Sequence, residues 1–426
     1  MLTAFVFSRL QAVTSLASKF FAGLYYYKPP EIEEEVAAIE KVRKRQLKAK
    51  RTPYVPPRTI TLAKVPVSLS TLCEFPMYDD LELLLRVSLA FSIAIAIGTA
   101  MGYWTKQGKY LYDFTFTVIL FILLWIGRTL VKIVKSSQFE LKMALLVAFV
   151  TGIFNFFAIS VAPEEMFEFD LHVAYIELEQ SLSRYSAFTG IYLSKTLFLL
   201  AVSSLSGLLT GLCAIPGIRF AKCHHTLQSY SSNRARWLTL LLVSLPVVIA
   251  LSFWTGPRTA VLNIINEQVN SAEVARKVGE TIRFLLLVVY LLFRVLPVSN
   301  YLQSFLDGAQ EEARSYVRIT NPTSQITVKT CRKIWFIYVY ICVVAIELLL
   351  PTLFVFFSAI GLWLVSTHYP FLGADVVVTS LGASALHHIF SYLVWWVCMV
   401  QTVSCSGALV YTQMTCTDPC CTASVA

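Results

Sequence analysis

Residues 334–366 read IWFIYVYICVVAIELLLPTLFVFFSAIGLWLVS, an apolar run with a single charged side chain, Glu347. About 20 mostly apolar residues cross a bilayer, so this run is a membrane span with length to spare. Pro351 lies inside it, where the ring removes a helical hydrogen bond. The run therefore reads as one kinked span with an interfacial extension, or as two half-spans. Seven further runs meet the same test, at roughly 82–103, 111–131, 142–162, 187–215, 237–254, 281–299 and 382–412. None alternates polar and apolar residues like a barrel strand, and helices are the other way to satisfy a backbone in lipid. The expected fold is all-α: a polytopic integral membrane helical bundle of about eight core transmembrane helices plus an N-terminal hydrophobic or amphipathic helix.

Composition agrees. Of 426 residues, 56% are hydrophobic and 14% charged, against roughly 45–50% and about 25% in a soluble domain. The 13% aromatic content excludes a disordered chain, and ten cysteines are too sparse for a disulfide scaffold. The lipid bilayer is the first partner.

Lysine and arginine set the orientation. With 25–81 in the cytosol, 24 of them fall in loops on that side and six in the alternate loops. That asymmetry places the C-terminus in the cytosol. The organisation expected is a hydrophobic or interfacial helix over 1–27, a charged cytosolic segment over 28–81 and the first six core spans over 82–299. A cytosolic amphipathic helix and linker follow over 300–333, the last two spans over 334–412, and a cysteine-containing tail over 413–426. Met1–Tyr27, with Arg9 and Lys19 interrupting it and Tyr25, Tyr26 and Tyr27 closing it like an interfacial belt, reads as a ninth span, a surface helix or a poor signal peptide. Residues 28–64 run from acidic to basic, as a solvated helix would; the basic run serves as a topology signal or an attachment to anionic lipid. A short basic segment without a recognition module does not read as nucleic-acid binding. In 301–317, Tyr301, Leu302, Phe305, Leu306, Ala309 and Ala313 recur at helical spacing opposite Asp307, Glu311 and Glu312. That face suits the bundle's own cytosolic surface or a partner helix.

Catalytic templates are absent. There is no G-x-S-x-G, H-E-x-x-H or G-x-G-x-x-G, so no catalytic residue, metal site or cofactor is expected, and the chain reads as a non-enzyme. The adjacent pairs His224-His225 and His387-His388 point about 100° apart on a helix and make no metal site alone. Polar groups within spans are the functional candidates because they are costly in lipid. Lys195 falls eight residues into the fourth run, about 12 Å deep at 1.5 Å per residue, and Glu347 lies near mid-depth in the seventh. Asp113 begins the second and Asn155 lies within the third. These four make a candidate intramembrane polar site, with a Lys195–Glu347 pair set against two separately solvated groups. Gly98 with Gly102 and Gly207 with Gly211 are G-x-x-x-G packing candidates, for contacts within the bundle or for a dimer. Cys416, Cys420 and Cys421 lie beyond the last span as candidates for palmitoylation or as unmodified thiols.

Several stretches resemble the transmembrane protein 161 family. They are Tyr27-Lys28-Pro29, Glu164-Glu165 leading into Phe167-Glu168-Phe169, Ile215-Pro216-Gly217-Ile218-Arg219, Trp254-Thr255-Gly256-Pro257, Tyr301-Leu302-Gln303 and Tyr392-Leu393-Val394-Trp395-Trp396, in order over roughly 25–405. By the resemblance, Lys195 matches a family lysine at the same distance before the Pro-Gly exit, and Glu347 stands where a neutral residue such as glutamine is expected. The resemblance implies a polytopic membrane protein without an assigned enzymatic activity, associated with ion currents, excitability and oxidative stress. It transfers no catalytic or ligand site. The expected function is a regulator acting through an ion channel or other membrane protein, in the plasma membrane or an endomembrane. The alternative is a transporter or channel around the four polar residues.

Overall fold

The computed structural model of the chain describes residues 15–28, 62–105, 109–135, 138–161, 166–189, 194–230, 233–269, 272–319, 328–368 and 383–416. In chain order the described elements are α1 (Leu16–Phe21), β1 (Tyr25–Lys28), β2 (Ala63–Pro66), α2 (Leu69–Leu72), α3 (Tyr78–Thr105), α4 (Lys109–Lys135), α5 (Gln138–Val161), α6 (Leu171–Thr189) and α7 (Lys195–Tyr230). Then come α8 (Asn233–Leu251), α9 (Thr255–Val269), α10 (Ala272–Val295), α11 (Val298–Ile319), α12 (Val328–Val339), α13 (Ile341–His368) and α14 (Ala383–Cys416). Apart from one two-stranded ribbon the described chain is helical. Six segments within it are long and apolar enough to cross a membrane: Tyr78–Gly98, Glu140–Val161, Lys195–Leu227, Val278–Ala313, Ile341–Trp363 and Ala385–Tyr411. Helices α4 and α8 lie over the other two expected spans. The long seventh run divides at Tyr340, and α13 continues through Pro351.

The described residues form two compact units, one drawn from Val13–Leu85 and Pro297–Ile346, the other from Arg86–Leu296 and Glu347–Ala426. In the first, Ser15 caps α1 by accepting from the Ser18 amide at 3.2 Å. The Glu82 carboxylate also meets that helix start, accepting from the Leu16 and Ala17 amides at 2.9 and 2.8 Å. A carboxylate there satisfies orphan amides and complements the helix dipole. Gly23, at φ +79°, turns the chain out of α1. Tyr25, Tyr26 and Tyr27 then form a strand, pairing antiparallel with Pro66, Val65 and Lys64. The Gln303 side chain of α11 holds the strand's open edge, accepting from the Tyr25 amide at 3.0 Å and donating to its carbonyl at 3.1 Å. Tyr26 stacks on Tyr338 with centroids 3.7 Å apart. The apolar face of α11 is thus covered by its own chain: Leu302, Leu306, Ala309 and Ala313 are buried, the last two in a cluster with Tyr27 and Ile334. The expected acid-then-base helix falls, apart from its ends, outside the described residues.

The second unit holds α4–α10, α14 and most of α3 and α13. Ser194 starts α7 by accepting from the Leu197 amide at 3.2 Å, and Asp170 starts α6 by accepting from the His172 and Val173 amides at 2.8 and 3.1 Å. Much of the stretch between the third and fourth apolar runs is therefore the helix α6. The stretch between the fifth and sixth apolar runs likewise contains α9, with Pro257 in its first turn.

Candidate functional site

Helices α5 and α7 pack antiparallel, Ala144 meeting Gly211 and Gly152 meeting Gly207. A methyl at Gly207 would strike the Ala148 carbonyl and lie 2.9 Å from the Gly152 Cα; one at Gly211 would strike the Ala144 carbonyl. Glycine is needed there because the two backbones touch. Helix α14 lies along α7, where the Trp396 indole donates to the Ser206 carbonyl at 2.9 Å and to the Thr210 hydroxyl at 3.0 Å. Where α5, α7 and α14 diverge they enclose a cavity of about 1110 Å³ that runs from Lys195 and His172 to Tyr411. Phe154, Val403 and Tyr411 on its wall are strongly exposed, so it is a groove open to the outside of the bundle.

Asn155 sits in the groove wall, 3% exposed. Its amide donates to the Ser206 hydroxyl and, at 2.6 Å, to the Tyr392 hydroxyl. Ser206 in turn donates to the Ser203 carbonyl at 2.8 Å. A polar group in lipid is tolerable when its hydrogen bonds close within the bundle, and these do.

Two ionic clusters flank the packed helices. Glu168, its side chain 5% exposed, takes Arg258 Nη1 and Arg283 Nη2, each at 2.5 Å. Glu280 takes the other arms of the same guanidiniums, at 2.8 Å from Arg258 and 3.4 Å from Arg283. Two acids and two bases thus alternate in a closed ring, with His387 Nε2 3.6 Å from Glu168 and Arg283 also over the Phe253 ring. Burial alone would raise the Glu168 carboxyl. The nearby His387 imidazole and the charges of Arg283 and Arg258 outweigh it and hold the group at about 2, below its ordinary 4.5. In the other cluster a single guanidinium, Arg219, lies between Glu140 and Glu347, 2.5 Å from the latter. Nearby, Tyr290 donates its hydroxyl proton to Gln401, and Arg294 lies over the Phe220 ring.

A family model described as "Predicted transmembrane protein 161AB" matches residues 1–368. The chain belongs to the transmembrane protein 161 family. It is accordingly a multi-pass integral membrane protein, consistent with the six apolar helical segments among the described residues. No solved structure matches it.

In this transmembrane protein 161 member, two stretches that carried the resemblance meet directly. Phe167 bridges to Trp254, the Glu168 amide donates to the Phe253 carbonyl at 2.9 Å, and the Thr255 amide donates to the Met166 carbonyl at 3.2 Å. That junction holds Glu168 in place for both arginines.

The four polar candidates do not converge. Lys195 and Asn155 line one groove; Glu347 is 2% exposed and pairs with Arg219 instead of Lys195. Lys195 is the first residue of α7 and exposed, because the Ser194 cap starts the helix eight residues later than hydropathy suggests. It is not a deeply buried lysine. The backbones at Gly102, Asp113 and Cys416 are in α3, α4 and α14, and the side chains of Asp113 and Cys416 lie outside what is described. Gly98 is buried in α3, Gly207 and Gly211 form the α5–α7 seam, and Cys420 and Cys421 lie outside the described residues. Each histidine of the 387–388 pair serves the 168–170 segment: His388 Nδ1 accepts from the Asp170 amide at 3.0 Å.

Sequence reasoning missed Arg219, Arg258, Glu168 and Glu280. By hydropathy Arg219 and Arg258 fall in loops and Arg283 lies in the sixth apolar run. The available signal was Arg258 and Arg283 appearing on the side the charge rule leaves poor in bases.

Proposed function

We propose that this protein is a non-enzymatic regulator of ion currents or of a cellular stress response, acting through membrane protein partners in the plasma membrane or an endomembrane. The observation that carries the reading is the closure of buried polar groups on partners within the bundle: Asn155 on Ser206 and Tyr392, Glu347 on Arg219, Tyr290 on Gln401. Conduction or carriage needs polar groups left open along a path for solute. A transporter is the second reading, favoured by Asn155 and Lys195 lining one cavity. Purified protein in liposomes is expected to pass no sodium, potassium, chloride or proton flux above empty vesicles, while its expression in cells alters whole-cell currents. Flux through the purified protein alone would replace the first reading with the second.

The topology that accompanies this reading has eight core spans, an N-terminal hydrophobic helix and a cytosolic C-terminus. Its support is the division of 24 against six basic residues. The ionic clusters are in keeping with it. Arg219 and Glu140 come from two loops assigned to the cytosol, and Glu168, Arg258 and Glu280 come from two loops assigned to the opposite face. Single cysteines within 28–64 are expected to resist an impermeant maleimide on intact cells; labelling without permeabilisation reverses the orientation.

A further inference from the structure

The groove between α5, α7 and α14 is long, apolar and charged at one end. On α7 it extends from Lys195 to Ile218, about 35 Å of helix, and on α14 from Tyr392 to Tyr411, about 28 Å, which is close to the thickness of a bilayer core. Its volume of about 1110 Å³ exceeds the roughly 300–1,000 Å³ of pockets for drug-sized molecules. Most polar side chains of its wall are already engaged, the buried Trp395 indole N–H, which has no partner, being an exception. Asn155 is bonded to Ser206 and Tyr392, Thr210 takes the Trp396 indole, and Thr151 and Ser404 donate to their own helices. What the middle of the groove offers a ligand is therefore hydrocarbon contact.

The Lys195 end differs. Lys195 is the cation of the groove lining, exposed at the end of an apolar span, and the His172 ring opens on the same cavity. Asp170 is also there, but its Oδ1 is bound by two amides of the first turn of α6, whose dipole offsets the charge. A long apolar channel with a cation at one mouth complements an amphiphile with an anionic head. In a membrane the amphiphile at highest local concentration is phospholipid.

We propose that this groove binds one anionic phospholipid, its phosphate on Lys195 and its acyl chains along α7 and α14, past Trp395 and Trp396. The site is independent of whether the protein regulates or transports. Lys195 then has a role that needs no partner within the bundle. It anchors a lipid that fills the space where three helices part, and the lipid content of the membrane becomes an input to the protein.

The test uses the full chain, purified and exchanged into an equal mixture of phosphatidylglycerol and phosphatidylcholine. Native mass spectrometry is expected to show one retained lipid with phosphatidylglycerol favoured about fivefold, the preference one interfacial lysine supplies. Phosphatidylglycerol with brominated chains is expected to quench tryptophan fluorescence more strongly than the brominated choline lipid, because Trp395 and Trp396 line the groove. Lys195→Met is expected to abolish the preference and Lys195→Arg to keep it. Ala158→Trp, which fills the groove at an exposed wall position, is expected to remove the retained lipid whatever its head. The headgroup comparison on unmodified protein needs no variant. Equal retention of the two lipids is what a groove reserved for a partner's helix would give, and it overturns the proposal. So does an undiminished preference in Lys195→Met.

Discussion

The two ionic clusters are built from the same residue types and differ in redundancy. Around Glu168 and Glu280, two guanidiniums each bridge two carboxylates, so every charge has two partners and the ring is neutral. Around Arg219 one guanidinium serves Glu140, about a fifth exposed, and Glu347, 2% exposed. Losing one member of the ring leaves each remaining carboxylate a base; losing Arg219 takes away the base that faces buried Glu347. Buried pairs are sensitive chiefly to an uncompensated charge, so the smaller cluster should be the more fragile.

The largest effect is expected from Arg219→Leu, a loss of about 3–5 kcal/mol in unfolding measured by steric trapping in bicelles. Adding Glu347→Gln should recover most of it, because the double change removes the buried charge together with its partner. A single-variant loss under about 1 kcal/mol would mean that water or another base already serves Glu347.

A smaller loss, about 2 kcal/mol, is expected from Arg283→Leu, since Arg258 still reaches both Glu168 and Glu280. If Arg283→Leu proves costlier than Arg219→Leu, redundancy is not what distinguishes the clusters.

Acid sharpens the same comparison. Glu168 is held at about 2 in the fold against an ordinary 4.5, so its contribution is fully present above pH 4.5 and is lost as pH falls toward 2. Thermal melts of the detergent-solubilised protein should show Tm falling through that window. Glu168→Gln should flatten the fall. An equal fall in the variant would assign the acid sensitivity to other carboxylates.

The smallest effect is expected at Lys195. Because it is exposed at the start of α7, Lys195→Met should change stability by no more than about 0.5 kcal/mol, and its coupling to Glu347→Gln should be near zero. A coupling above about 1 kcal/mol would restore a Lys195–Glu347 pair.

Hydropathy is a local property, and each of the eight apolar runs overlaps a described helix. Helix ends were less legible. The boundary at Lys195 depends on one hydroxyl capping an amide, which an averaged window cannot see. The small residues at Gly207 and Gly211 announced a close approach, but the choice of α5 as the helix approached required the fold. The amphipathic period of α11 was plain in 301–317. What covers that face, a tyrosine strand from far earlier in the chain, was not, because strand pairing between 25–28 and 63–66 is non-local.

The sequence by itself determined that this is a helical protein of the bilayer and which segments are apolar enough to cross it, because transfer of apolar surface and of charge is summed over consecutive residues. Tertiary structure alone decided which acid meets which base, which polar side chains close on one another and where three helices part to leave a groove. Those outcomes depend on distances between residues such as Glu168 and Arg283, far apart in the chain, and Coulombic and hydrogen-bond energies are set by ångströms in space and not by order in sequence.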